Sequence, residues 1–272
     1  MHVDMEAMVT LEPVRHPINI HLPVRCGALE NITDVGISSY PYSIYAIDKN
    51  GALWVWGRNN NGQLGFGDTV DRSTPLLNVA MKNIIKAIPA SGSDPSGENL
   101  AGCGFVLQSN GSVWAVGYNG FGQLGLGDTT SRSSFTQIPL SESVIDISIT
   151  DGKYGSVDAL TNQRQVYLWG ANGYGQLGTD NTNSQYSPFK PKGAFQGKVT
   201  RVQIGGGISY DGCIIQCGNE LWAAGYNEYS NLGLGHAQKT NNSFQKIMGI
   251  SGKIIDWNVY GSGTFAWGLG VL

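Results

Sequence analysis

Four times along the chain a short apolar run gives way abruptly to glycine and then to amide side chains. The copies are LWVWGRNNNGQLG (53–65), VWAVGYNGFGQLG (113–125), VYLWGANGYGQLG (166–178) and LWAAGYNEYSNLG (221–233). Each opens with four apolar or aromatic residues, a composition that suits a short β-strand. Gly57, Gly117, Gly170 and Gly225 end these runs, at separations of 60, 53 and 55 residues. A glycine at each strand end predicts a positive φ or a close approach of two backbones. Asn59, Asn119, Asn172 and Asn227 follow at one offset. They predict a turn, because asparagine tolerates left-handed backbone and hydrogen-bonds to nearby main chain. A second glycine comes next at Gly62, Gly122 and Gly175, but the fourth copy has Ser230, where a distorted turn is expected. Leu64, Leu124, Leu177 and Leu232 close the blocks and are expected to be buried pegs between units.

Two further apolar runs precede each block. The first are NITDVGI (31–37), NIIKAIPA (83–90), SVIDISIT (143–150) and KVTRVQIGG (198–206), with a fifth, KIIDWNVYG, at 253–261. The second are SIYAID (43–48), GFVLQS (104–109), SVDALT (156–161) and CIIQCG (213–218), with a fifth, TFAWGLGVL, at 264–272. A weaker strand is expected after each Leu-Gly. Four short antiparallel strands per repeat make a propeller blade, and helical periodicity is absent. The expected fold class is all-β, a β-propeller of four complete blades plus a partial fifth. Its units fall at about 31–80, 81–140, 141–195, 196–250 and 251–272. An open ring would expose strand edges. The N-terminal segment, 1–30, is therefore expected to close the ring against 253–272. It holds the strand candidates MVTLEPV and INIHLPVRC, with Pro13, Pro17 and Pro23 suited to edges or bulges. The competing arrangement is an incomplete ring, either part of a longer chain or completed by another subunit in a homo-oligomer or larger assembly.

Composition narrows the chemistry. Charged residues are 14% of the 272 residues and the net charge is −3, well below the usual charge density of about 25%. No basic run exists, so nucleic acid is not an expected partner. Cys26, Cys103, Cys213 and Cys217 lack the paired spacing of a zinc site and read as small apolar residues. His2, His16, His21 and His236 form no metal-binding pair, so no metal and no cofactor are expected. Gly205, Gly206 and Gly207 lack the Lys-Ser/Thr pair and helix of a phosphate loop. Asp68 and Asp128 occupy matching turns of different units and read as turn caps. No nucleophile elbow is present, and the chain is expected not to be an enzyme. No stretch is long and apolar enough to insert in a membrane, and no signal peptide is expected.

The remaining periodic feature is aromatic. Phe121, Tyr174 and Tyr229 share one offset, and Tyr118 and Tyr226 share another. Exposed aromatics at blade spacing would line one rim and offer contact area to a protein or a glycan. Packed inward, they would instead join neighbouring blades.

The blocks resemble the repeats of the regulator-of-chromosome-condensation family, whose signature is similar to VWxWGxNxxGQLGxGD. The tails GFGDT (65–69) and GLGDTT (125–130) match it, while the third copy weakens to GTDNT and the fourth to GLGH. The resemblance spans about 31–272. It implies a β-propeller, although the family usually has seven blades. The founding member docks on nucleosomes and exchanges guanine nucleotide on a small nuclear GTPase, the exchange surface lying in loops rather than in the repeat glycines. Exchange on a small GTPase is thus the alternative function. The low charge and richness in Asn, Ser, Thr, Tyr and Gly are similar to bacterial-virus tail fibres and surface adhesins. The function expected first is a non-enzymatic recognition or structural module of a virion tail or surface, contacting a protein or glycan. Its expected location is the virion or extracellular surface, with the cytoplasm as the alternative.

Overall fold

A glycine at the end of each Trp-rich strand allows the second and third strands of a unit to close tightly. Gly57, Gly117, Gly170 and Gly225 have φ of +100°, +99°, +91° and +121°. They pair with Ser43, Cys103, Ser156 and Gly212. A Cβ at these glycines would lie 2.1, 2.4, 2.3 and 2.6 Å from the carbonyl oxygens of Tyr42, Gly102, Gly155 and Asp211. Both the sign of φ and the lack of space exclude a side chain.

The computed structural model describes residues 29–38, 42–93, 100–150, 155–206, 211–261 and 265–271. Every regular element in them is a strand. The first unit is β1 (Ile32–Ile37), β2 (Ser43–Asp48), β3 (Leu53–Gly57) and β4 (Arg72–Asn78). The second is β5 (Ile84–Ser93), β6 (Leu100–Gln108), β7 (Val113–Gly117) and β8 (Arg132–Gln137). The third is β9 (Val144–Ile149), β10 (Ser156–Thr161), β11 (Val166–Gly170) and β12 (Gln185–Phe189). The fourth is β13 (Arg201–Gly206), β14 (Asp211–Cys217), β15 (Glu220–Tyr226) and β16 (Thr240–Lys246). A hairpin of β17 (Ile254–Gly261) and β18 (Phe265–Val271) follows. Each complete unit is a four-stranded antiparallel meander in chain order.

The units meet through their first strands. β5 lies against β1 and β2, β9 against β5 and β6, β13 against β9 and β10, and β17 against β13. These strands are therefore innermost. The backbone stitches successive units together: Ile84 N–H donates to Gly51 O at 2.9 Å, Val144 to Gly111 at 3.0 Å, and Val199 to Arg164 at 3.2 Å. In each case the acceptor sits in the second hairpin turn of the preceding unit. Arg164 takes the place of glycine there with a φ of +60°.

The core is a row of junctions. Leu53 and Leu64 pack with Ile84 and Val106 of the second unit. Phe105 and Leu124 pack with Ile147 and Trp169 of the third. Leu160 and Leu177 meet Val202 and Ile215, and Ile214 and Leu232 meet Ile254 and Trp257. Leu64, Leu124, Leu177 and Leu232 are all 0% exposed. Trp169 adds a polar link, donating from Nε1 to Gln123 O across the junction at 2.8 Å.

A ladder of charge runs round the innermost strands. One position reads Asp34, Lys86, Asp146, Arg201 and Asp256 in the five units. Lys86 pairs with Asp146 at 2.6 Å, and Arg201 with Asp256 at 2.9 Å. Arg201 also lies over the Trp257 ring at 4.5 Å. The expected closure by residues 1–30 lies outside the described residues, apart from the final two. Of these, Leu29 packs on Ile44, Ala46 and Trp56.

Truncating one peg empties a junction rather than a surface. We expect Leu124→Ala to lower unfolding free energy by about 2–5 kcal/mol, the range for buried leucine. Denaturant unfolding measures it, and a loss under about 1 kcal/mol would contradict the peg role.

Candidate functional site

The long loops between third and fourth strands share one face, and each is pinned by a buried asparagine. Asn59, Asn119, Asn172 and Asn227 are 0% exposed. Their Oδ1 atoms accept the N–H groups of Leu64, Leu124, Leu177 and Leu232 at 2.8, 2.9, 2.9 and 3.0 Å. Their Nδ2 atoms donate across the loop to the carbonyls of Asp68, Asp128, Asn181 and His236 at 3.1, 2.9, 3.0 and 2.8 Å. The expected turn is present, with Gly62 N–H donating to Asn59 O at 2.8 Å, and the asparagines hydrogen-bond to nearby main chain as expected. Among the described residues, those with positive φ other than glycine are Asn31, Tyr42, Asn83, Arg164, Asp180 and Ser230, and these four asparagines act through their side chains. Gln63, Gln123 and Gln176 tighten the loop tip by accepting the N–H groups of Asn61, Phe121 and Tyr174 at 2.9, 2.9 and 3.0 Å.

The fourth turn is not distorted, contrary to expectation. Ser230 takes a φ of +56°, and Gly233 N–H reaches Ser230 O at 3.0 Å, as Gly65 reaches Gly62 at 2.9 Å. The first three copies need glycine because the next unit's fourth strand crosses there. A Cβ on Gly62 would sit 2.5 Å from Ser133 Cα, and one on Gly175 would sit 2.7 Å from Asn242 Cα. The hairpin after the fourth unit has no fourth strand among the described residues, and Ser230 is exposed.

Asp68 and Asp128 brace the loop ends. Each pairs with an arginine, Arg72 or Arg132, at 2.7 Å. The Val70 N–H and then Arg72 hold the Asp68 carboxyl below its ordinary value. Arg132 and then the Thr130 N–H do the same for Asp128.

The aromatic residues do not form one exposed rim. Tyr226 is 1% exposed and donates its hydroxyl to Glu228 Oε2 at 2.8 Å. Burial first, then the Glu228 carboxylate, raise its phenol above the ordinary value. It bridges Tyr174 of the preceding unit at 5.7 Å and Tyr229 at 6.0 Å, both edge to face. Tyr229 is 71% exposed, while Tyr118, Phe121 and Tyr174 are half-buried. Tyr118 stacks edge to face on Phe121 at 6.4 Å and lies over Gly120, where a Cβ would be 2.0 Å from its hydroxyl. The structure therefore brings together two groups, Tyr118 with Phe121 and Tyr174 with Tyr226 and Tyr229. Only Tyr229 stands fully in solvent.

Two buried carboxyls cross the junction between the third and fourth units, and no sequence motif marks them. Asp158 is 2% exposed. Its Oδ2 accepts the Ser148 hydroxyl and, from the fourth unit, Ile204 N–H at 3.0 Å. Asp211 Oδ2 accepts Gln176 Nε2 from the third unit at 3.3 Å. Burial pushes both carboxyls up to about 7. Their only sequence signal is an acid at an inward position of an apolar strand.

Among the described residues, no three His, Cys, Asp or Glu side chains gather to hold a metal. His2, His16, His21 and Cys26 lie outside the described residues. Cys103 and Cys213 are buried, and Cys217 is half-buried.

Four meander sheets and a following hairpin, joined by their first strands, define a repeat β-propeller. Residues 50–93, 110–152 and 165–210 match the "Regulator of chromosome condensation (RCC1) repeat", and 35–63 match a second form of that repeat. Together these matches cover more than half of the chain, which belongs to the RCC1 repeat family. It is 28% identical over 226 residues to the probable E3 ubiquitin-protein ligase HERC4 of Mus musculus, covering 83% of this chain and 20% of that protein. It is 34% identical over 146 residues to the X-linked retinitis pigmentosa GTPase regulator of Canis lupus familiaris, covering 52% of this chain and 13% of that protein. The fold is similar to Prp20p of Saccharomyces cerevisiae, with a TM-score of 0.66 at 19% identity over 88% of this chain and 56% of that one. Human WBSCR16 gives a TM-score of 0.62 at 18% identity, over 89% and 58%. The chain thus spans a fifth or less of the length of these sequence relatives.

These relatives correct the expectation that the chain is not an enzyme. HERC4, and HERC3 of Homo sapiens, are described as probable E3 ubiquitin-protein ligases, and HERC2 of Homo sapiens as an E3 ubiquitin-protein ligase. That expectation rested on a search for catalytic motifs inside the repeats. Repeat glycines and leucines specify a fold and carry no information about the chemistry of a protein that contains it.

The buried carboxyls set a pH dependence. Their folded-state pKa lies above the unfolded value, so the native state holds more protons between about pH 4 and 7. Stability from these groups is therefore present at low pH and lost as pH rises through about 7. The slope is at most about 1.4 kcal/mol per pH unit for each group. We expect Asp158→Asn to raise the melting temperature more at pH 8 than at pH 5. Equal shifts at both pH values would show that Asp158 is ionised throughout.

Proposed function

We propose that this chain is a protein-docking propeller that engages its partner through the loop-bearing face. One observation carries the reading. Tyr229 is an exposed aromatic on a loop already fixed by the buried Asn227, so contact with a partner orders little that is not ordered beforehand. Tyrosine brings a large contact area at low entropic cost and is enriched at interfaces. Support also comes from the solved relatives. The Prp20p structure is described together with its binding to Gsp1p and histones, and yeast RCC1 was solved with Kap60. In a larger protein of the ubiquitin-ligase kind, such a face would hold the protein to be modified. The virion-surface and glycan readings draw no support from the relatives named above.

A second reading, action on a small GTPase, is favoured by the match to a protein named as a GTPase regulator. Release of a fluorescent guanine nucleotide from a panel of small GTPases tests it, and unchanged release across the panel would remove it.

The docking reading is tested with purified small GTPases and core histones as probes. For whichever binds, Tyr229→Ala combined with Tyr118→Ala should weaken binding at least about tenfold, as expected of interface anchors, with melting temperature unchanged. Undiminished binding by the double variant would move the interface off this face.

A further inference from the structure

Three loop tips are held by a glutamine, and one of these glutamines leans on an ionisable group. Gln63, Gln123 and Gln176 accept the N–H groups of Asn61, Phe121 and Tyr174. Gln63 and Gln123 lie against a glycine of the next unit. A Cβ on Gly102 would sit 2.6 Å from Gln63 Nε2, and one on Gly155 would sit 3.2 Å from Gln123 Cβ. Both glycines are the residues whose carbonyls face the strand-ending Gly117 and Gly170, and in the fourth unit that residue is Asp211, facing Gly225. An acid thus replaces glycine at the third junction. Asp211 is 4% exposed, and its Oδ2 accepts Gln176 Nε2 at 3.3 Å. The same Nε2 donates to Ser156 Oγ at 3.0 Å.

Gln176 therefore joins a buried carboxyl to the aromatic residues of the loop face. Its Oε1 holds Tyr174 N–H at 3.0 Å, the Tyr174 ring packs on Tyr226, and Tyr226 packs on Tyr229. No charged side chain meets Asp211 among the described residues. β13 pairs Gly206 with it, β15 brings Gly225 to its carbonyl, and the third unit presents Gln176. The charged residues of the flanking strands, Arg201 and Glu220, start β13 and β15 at their far ends and pair with Asp256 and Lys246. The Tyr226 hydroxyl is held by Glu228. Burial thus governs the carboxyl and outweighs the opposing hydrogen bond from Gln176, which leaves its pKa at about 7. An ionised carboxylate gains most where water reaches it. A state that admits water parts Asp211 from Gln176 and loosens the amide that fixes Tyr174.

We infer that Asp211 is a pH switch for the loop face: protonated, it keeps Gln176, Tyr174 and the tyrosines beyond them in the docking arrangement, and ionised, it releases them. The inference rests on the protein-docking reading and adds regulation to that same face. The sign follows from the raised folded-state value. The docking arrangement is present at low pH and is lost as pH rises through about 7. Only this loop responds, because Gln63 and Gln123 make the same contact to their loop tips but meet glycine in the next unit.

The test follows amide hydrogen exchange in the isotope-labelled full chain by NMR between pH 6 and pH 8.5, corrected for the intrinsic rise of exchange with pH. Protection of the Tyr174 amide should fall above about pH 7, by at most about tenfold per pH unit. The Asn61 and Phe121 amides, held by the same glutamine contact, should keep constant protection and serve as internal controls. Asp211→Asn should remove the pH dependence at Tyr174. Asp158→Asn, which changes the other buried acid of this junction, should leave it in place. Constant Tyr174 protection in the wild type, a dependence that survives Asp211→Asn, or one that Asp158→Asn removes would each overturn the inference. If Tyr174 responds as expected while the Tyr229 and Tyr118 substitutions leave partner binding intact, the switch stands and the docking reading falls. If those substitutions abolish binding while Tyr174 ignores pH, the docking reading stands and the switch falls.

Discussion

The buried amide of one asparagine per unit ties the packing of this propeller to the shape of its loop face. Each amide is removed from water and spends both ends on main chain. An unpaired group in that position would cost about 1–3 kcal/mol, so the loop cannot easily leave it. The acceptor end grips the N–H of the leucine that fills the next junction, and the donor end grips the far side of the loop. A single side chain therefore sets the depth of the peg and the path of the residues above it. The aromatic residues of the loops inherit their positions from this arrangement.

Stability is distributed along a line of junctions instead of residing in one central core. Each apolar cluster is shared by two successive units, as in repeat proteins where each unit touches only its neighbours. The junctions are not alike. The second and fourth carry an ion pair on the inner rim, the third carries two buried carboxyls, and the first carries neither and opens into a groove. Exposed ion pairs add little, about 0–1 kcal/mol, so these differences bear more on what each junction can bind or sense than on whether it forms. Chemistry specific to this chain is concentrated where the repeat is broken.

Strand runs and the repeat period were plainly legible in the chain, because apolar runs bounded by glycine report directly on strand ends. β2 and β10 coincide with SIYAID and SVDALT as read from the residues alone. The glycines that end β3, β7 and β11 were legible for the same reason, since few other physical demands place glycine there. The turns at Asn59, Asn119, Asn172 and Asn227 and their main-chain hydrogen bonds were legible too, but the burial of these side chains was not, because a turn preference and a buried staple give the same residue at the same offset. Ser230 was misread because what matters at that site is the neighbouring unit's fourth strand, a non-local fact. Tyr226, at the end of β15, and Tyr229, in the loop that follows, lie three residues apart yet differ in exposure from 1% to 71%. Nothing in local spacing separates them. Asp158 and Asp211 escaped notice for a similar reason, since their partners come from another unit.

The account stands or falls on whether the asparagine staples are as firm as their burial implies. Native-state hydrogen exchange at the amides of Leu64, Leu124, Leu177 and Leu232 measures this most directly, because each donates to a staple. Those four amides should open only with large-scale unfolding and exchange with the slowest group of strand protons. The amide of Tyr229, on an exposed loop tip, should exchange rapidly. If the leucine amides exchange as fast as that of Tyr229, the loops are not held by their asparagines and the face above them is not preformed.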